Sequence, residues 1–147
     1  MDHSSLLDRP TLGKRNLGRL GLVLAGGSML LIASLPSAFA ADAAKEVSTA
    51  TDHAGYAAQA TVIKTAYTHL HHVINCLVGP KGDDFDAKEA NPCAAMGEGA
   101  IPDSKNAATK MALSAAVTKA KAGLTATDLT AAKADAQAVQ EMLQQVK

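Results

Sequence analysis

Three histidines and a cysteine fall within eight residues of this chain, at His69, His71, His72 and Cys76 in "THLHHVINC". Neutral imidazole nitrogen binds Cu, Zn, Ni and haem iron, and a free thiolate would sharpen the preference for Cu or Zn. Position on a helix sorts the group. At about 100° per residue, His69, His72 and Cys76 share one wedge ~60° wide, while His71 points away from it with Lys64, Thr68 and Asn75. Residues three or four apart on a helix can reach a common ligand. The candidate metal ligands are therefore His69 and His72, with His71 or a residue of the following loop completing the site. That loop offers Asp83, Asp84, Asp86, Glu89, Glu98 and Met96. The ion would be Cu, Zn or Ni, with haem held without a covalent bond as a narrower variant. The competing expectation is that His69 and His72 are hydrogen-bonded residues at the edge of a core and that His71 is solvated. His53 reads as a residue near a helix start.

The two cysteines limit these options. Neither lies in a Cys-x-x-Cys or Cys-x-x-Cys-His arrangement, so spacing points neither to a redox dithiol nor to covalent haem. In an oxidising compartment, Cys76 and Cys93 would pair with each other. That bond would remove Cys76 as a thiolate ligand and tether the loop beside the histidines.

The elements that must position these groups are helical. Alanine dominates and apolar residues recur at three and four. A first helix is expected over about 52–78, because Thr51 and Asp52 can cap it and Gly79-Pro80 must end it. Val62, Ala66, Leu70, Val73 and Leu77 form its apolar stripe. The stretch 41–51 would either extend this helix or form a loose start. Gly79 to Asp103 is irregular, carrying Pro80, Pro92 and Pro102, and is long for a connection between packed helices. A second helix is expected over about 104–122. A third, over about 126–146, would use Thr125 as cap and Asp128 three residues on. Its residues Leu129, Ala132, Ala136, Val139, Leu143 and Val146 repeat like a coiled-coil seam. The expected fold is all-α: a small bundle of three main helices with a long disulfide-tethered loop.

The start of the chain has the layout of an export signal. A polar lead with Arg9, Lys14, Arg15 and Arg19 precedes the apolar run Leu20–Leu35, and Ala38-Phe39-Ala40 supplies small residues for cleavage. Residues 1–40 are thus expected to be a signal peptide and residues 41–147 a single exported domain, periplasmic or secreted. Lys14-Arg15 in place of Arg-Arg favours the general secretory route over the twin-arginine route. The apolar run is short for a membrane span, which needs roughly 20 residues. No membrane association is expected after cleavage.

Composition excludes other classes. The whole chain carries 14 basic and 14 acidic side chains. Removing the leader leaves ten against twelve, without the cationic stripe that nucleic acid requires. There is no tryptophan, and Tyr56, Tyr67 and Phe85 are the only aromatic residues after Ala40. The acidic run Asp83–Glu89 lacks the turn glycine of a calcium loop. Neither a nucleophile motif nor a partnered acid pair suggests catalysis. Two functions remain: a non-enzymatic binder of a transition metal, or a structural module that pairs with a protein partner or a second copy through its last helix.

Overall fold

The computed structural model describes residues 41–146, all within one compact unit. The expected signal peptide, Met1–Ala40, lies outside the described residues. Four principal helices and one short turn of helix make up the domain: α1 (Ala43–Ala58), α2 (Ile63–Val78), α3 (Ala100–Asp103), α4 (Ala107–Leu124) and α5 (Leu129–Gln144). No strand occurs among the described residues. In cross-section α1, α2, α4 and α5 form a ring in that order, each against its chain neighbours, with α1 and α5 closing it. The fold is all-α with a tethered loop, as expected, but with one more main helix.

The extra helix arises because 52–78 is not continuous. Chain 41–51 begins α1, where the Asp42 side chain accepts the Lys45 amide at 3.0 Å. The chain then breaks at Gln59–Val62, and Val62 takes an extended conformation at φ −135° and ψ 145°. The reason lies in the phase of the buried faces. The buried stripe of α1 is Ala50, Ala54 and Ala57, and that of α2 is Ala66, Leu70, Val73 and Leu77. Ala57 and Ala66 are nine residues apart, which on one straight helix is about 2.5 turns. A continuous helix would therefore put the two stripes on opposite sides. Folding back at Gln59–Val62 lets both face the same core.

Two other boundaries also shift. The start expected at 104 separates into the single turn α3 and the longer α4. Asn106 caps α4, accepting the amides of Ala108 and Thr109. The third helix starts at Leu129 instead of 126, because Asp128 is its cap and accepts the Ala131 amide at 2.9 Å, while Thr125 ends α4. The expected seam is turned inward: Ala132, Ala136, Val139 and Leu143 are all buried in the bundle. It is thereby used up within the fold instead of being free for a second copy.

The crossover from α2 to α4, residues 79–106, is held at several points. Cys76 and Cys93 form a disulfide with a Cα–Cα distance of 5.2 Å. Asn75, expected on the solvated side, is fully buried. Its side-chain amide donates to the Asp86 carbonyl at 3.0 Å and the Ala90 carbonyl at 3.1 Å, and its oxygen accepts the Asp86 amide at 2.9 Å. These bonds supply the loop with the backbone partners that a helix or sheet would otherwise provide. The Asp42 amide also donates to the Met96 carbonyl at 3.1 Å, tying the loop to the start of α1. On the chain-entropy argument, closing a loop with a sequence separation of 17 stabilises by about 3 kcal/mol. Cys93→Ala should thus lose about 2–4 kcal/mol in chemical denaturation, and thiol titration of the unreduced protein should find no free cysteine.

Candidate metal centre

The fold-back at Gln59–Val62 builds the site. In an antiparallel helical hairpin, residues about equally distant from the turn face each other, so His53 of α1 meets His69 and His72 of α2. Nδ1 of His53 lies 3.1 Å from Nδ1 of His69 and 3.3 Å from Nδ1 of His72. One nitrogen from each ring falls within 4.8 Å of the other two, and all three residues are half-buried. The rings of His53 and His72 meet edge to face at 4.9 Å between centroids. Tyr56, one turn below His53 on the same side of α1, packs against His53 and His69 at 5.5 and 5.4 Å. Tyr56 is 53% exposed, so the cluster lies near the surface beside an aromatic edge.

Hydrogen bonding alone does not account for this arrangement. A ring nitrogen carries either one proton or one in-plane lone pair. Nδ1 of His53 can therefore make one good hydrogen bond, yet two other Nδ1 atoms approach it. A metal ion accepts all three lone pairs at once. With Zn–N bonds of about 2.0–2.1 Å, nitrogens around a tetrahedral ion sit roughly 3.3 Å apart, close to both distances seen here.

The electrostatics keep the rings ready to bind. Burial, reinforced by the neighbouring His72 and His69, lowers the pKa of His53 to about 4. Burial also lowers His69, and burial together with His69 lowers His72. Three imidazoles this close disfavour one another's protonated forms. At neutral pH all three are uncharged, which is the ligating form.

The expected ligands divide accordingly. The structure brings His69 and His72 together. His71 stands apart, with Nδ1 3.4 Å from a carboxylate oxygen of Asp86, so it braces the crossover. Of the other loop groups named as possible ligands, Asp84, Glu98 and Met96 are engaged elsewhere, while the charge of Glu89 acts on His72. Asp84 pairs with Lys121, Glu98 pairs with Lys81 at 2.7 Å, and the Met96 sulfur takes a weak hydrogen bond from the Thr49 hydroxyl at 3.8 Å. Cys76 is bonded to Cys93. The residue pattern alone does not assign His53 as a ligand. It lies well inside α1, nearly three turns beyond the start of that helix, and its place beside His69 and His72 is hidden when the two helices are read as one. The half-turn mismatch between Ala57 and Ala66 is the available signal, blurred by alanine on every face.

No protein family, curated protein or solved structure matches the chain. Among the described residues no helix is long and apolar enough to cross a membrane.

Proposed function

We propose that the protein is an exported, non-enzymatic binder of a transition-metal ion, held by His53, His69 and His72, which carries or buffers the ion in the periplasm. The observation that supports this reading is the approach of two Nδ1 atoms to a third at 3.1 and 3.3 Å. An all-imidazole donor set suits Cu(II), Ni(II) and Zn(II) and disfavours Ca or Mg, which take oxygen ligands. It suits a bare ion better than haem, whose iron offers only two axial positions. Three protein ligands leave a coordination position for water or for a ligand from a receiving partner. Export is supported by the leader at Met1–Ala40 and by a disulfide of the kind that persists in oxidising compartments.

Calorimetric titration and thermal melting test the reading together. Cu(II), Ni(II) or Zn(II) should bind one ion per chain, and a chelator should reverse the effect. At a free ion concentration 100-fold above Kd the folded state gains about 2.7 kcal/mol. For a domain of this size that corresponds to a rise in Tm of roughly 10 °C or more. No binding tighter than about 100 µM would overturn the proposal. A mass that rises with protein concentration, with no metal effect, would favour the protein-interaction module instead.

A further inference from the structure

Away from the histidines, the domain buries an acid. Glu46, in the first turn of α1, is fully inaccessible to solvent. Its Oε1 accepts the backbone amide of Gly99 at 3.1 Å, just ahead of α3. Its Oε2 is the one buried side-chain polar atom without a hydrogen-bond partner among the described residues. A buried ionised carboxylate with a free oxygen is costly, whereas a protonated one can donate from that oxygen.

Among the described residues the surroundings supply an acceptor and no compensating cation. Asp103, at the end of α3, lies beside Glu46, and its Oδ2 accepts the Glu98 amide at 2.8 Å. The charges acting on Glu46 are Asp103 from α3 and Asp42 from the cap of its own helix, both negative. From the crossover, Gly97 closes over the pair. A Cβ there would lie 2.0 Å from Asp103 Oδ2 and 3.0 Å from Glu46 Oε1. Thus α3 is attached to α1 through two carboxyl groups that sit side by side.

We propose that Glu46 is a proton-operated clamp on α3: protonated, it shares its proton with Asp103 and holds residues 97–103 against α1, and ionised, it lets them loosen. Burial first, with Asp103 and Asp42 adding to it, raises the pKa of Glu46 to about 7 despite the opposing Gly99 hydrogen bond. A carboxyl raised in the folded state binds its proton more tightly there than in the open state. Its stabilising effect is therefore complete below the ordinary value of 4.5 and is lost as pH rises through about 7.

Loosening α3 would alter two cavities, because this short element contributes to the walls of both. One, of ≈580 Å³, lies against Ile101 and Pro102 with Val78 and Val117. The other, of ≈390 Å³, lies against Asp103 and Ser104 with Val47 and Leu113. Both are large enough for a small ligand. The clamp would make their shape depend on pH near neutrality.

Carboxyl-carbon NMR and amide hydrogen exchange on the intact protein test the clamp. Glu46 should titrate with a midpoint near pH 7. Between pH 6 and 8.5 the Gly99 and Glu98 amides should lose about tenfold of their protection, beyond the ordinary base-catalysed acceleration. Over the whole range from below pH 4.5 to above pH 7 the shift sets a limit of about 300-fold. In Glu46→Gln, whose side-chain NH₂ can stand in for the proton, these amides should stay protected throughout, and Leu113 and Val139 should hold in both proteins. A Glu46 midpoint near 4.5, or loss of protection spread evenly over all helices, would overturn the proposal. If Glu46→Gln does not fold, the titration and the pattern of exchange in the unaltered protein decide alone.

Discussion

Replacing His53 with alanine should weaken Cu(II), Ni(II) or Zn(II) binding by roughly 100-fold, about 2.7 kcal/mol. His53 is the candidate ligand that α1 contributes, and its Nδ1 stands within 3.3 Å of both other nitrogens. Without it, His69 and His72 remain as a pair one helical turn apart, a chelate that surface histidines of many helices could offer. His69→Ala and His72→Ala should each cost a similar amount. His71→Ala should change affinity by less than about twofold, because its Nδ1 faces Asp86 instead of the cluster. Its effect should appear in stability, and there it should be small, since a partly exposed polar contact of this kind contributes about 0–1 kcal/mol. Calorimetric titration of the four variants separates two sites that composition alone cannot. Equal losses at His69, His71 and His72 with none at His53 would mean that the ion is held by the run on α2 and that the proposed site is wrong.

Gly79→Ala should be the most damaging single substitution outside the hydrophobic core, at about 3–5 kcal/mol. Gly79 ends α2 at φ +68°, where an L side chain is strained, and that strain alone costs about 1 kcal/mol. Steric overlap costs more. A Cβ on Gly79 would lie 1.5 Å from the Glu98 carbonyl oxygen and 2.4 Å from its carbon, both backbone atoms. Gly99, at φ +113°, faces back: a Cβ there would lie 2.5 Å from the Gly79 amide nitrogen. The two glycines let the end of the crossover pass directly over the end of α2. Neither side can yield without moving α3 or the disulfide-bound segment before it. Chemical denaturation of Gly79→Ala checks this, and a loss below about 1 kcal/mol would show that the crossing relaxes easily.

These two sites also mark what could be read from residue order. Helical class and the pairing of Cys76 with Cys93 were legible, because period and compartment chemistry act locally or through a single choice of partner. The stop at Gly79-Pro80 was legible as well, though not the close crossing that makes Gly79 indispensable. The α1–α2 turn was not. It has no proline and no glycine, and Val62 caps α2 without a side-chain hydrogen bond, so the usual punctuation is missing. Without that turn His53 falls outside the site, since the cluster exists only when α1 folds back on α2. Asn75 was misplaced for a different reason. It lies opposite the apolar stripe, and only the returning crossover converts that side of α2 into an interior. Two of the three residues of the candidate centre, His69 and His72, follow from the register of one helix; the third, His53, depends on a tertiary contact.

The interior built by these helices is also thin. Of the twenty buried apolar residues among those described, ten are alanines, including Ala50, Ala54, Ala57, Ala116 and Ala120. Each hides little hydrocarbon, so unfolding exposes less apolar surface per residue than a core of leucine and phenylalanine would. Apolar exposure is what makes the heat capacity of unfolding positive and bends stability against temperature. The folded state of this domain should accordingly vary gently between cold and warm conditions, with a broad, low maximum in place of a sharp one. An ion or a covalent bond adds its increment to such a curve almost uniformly, lifting it across the whole temperature range.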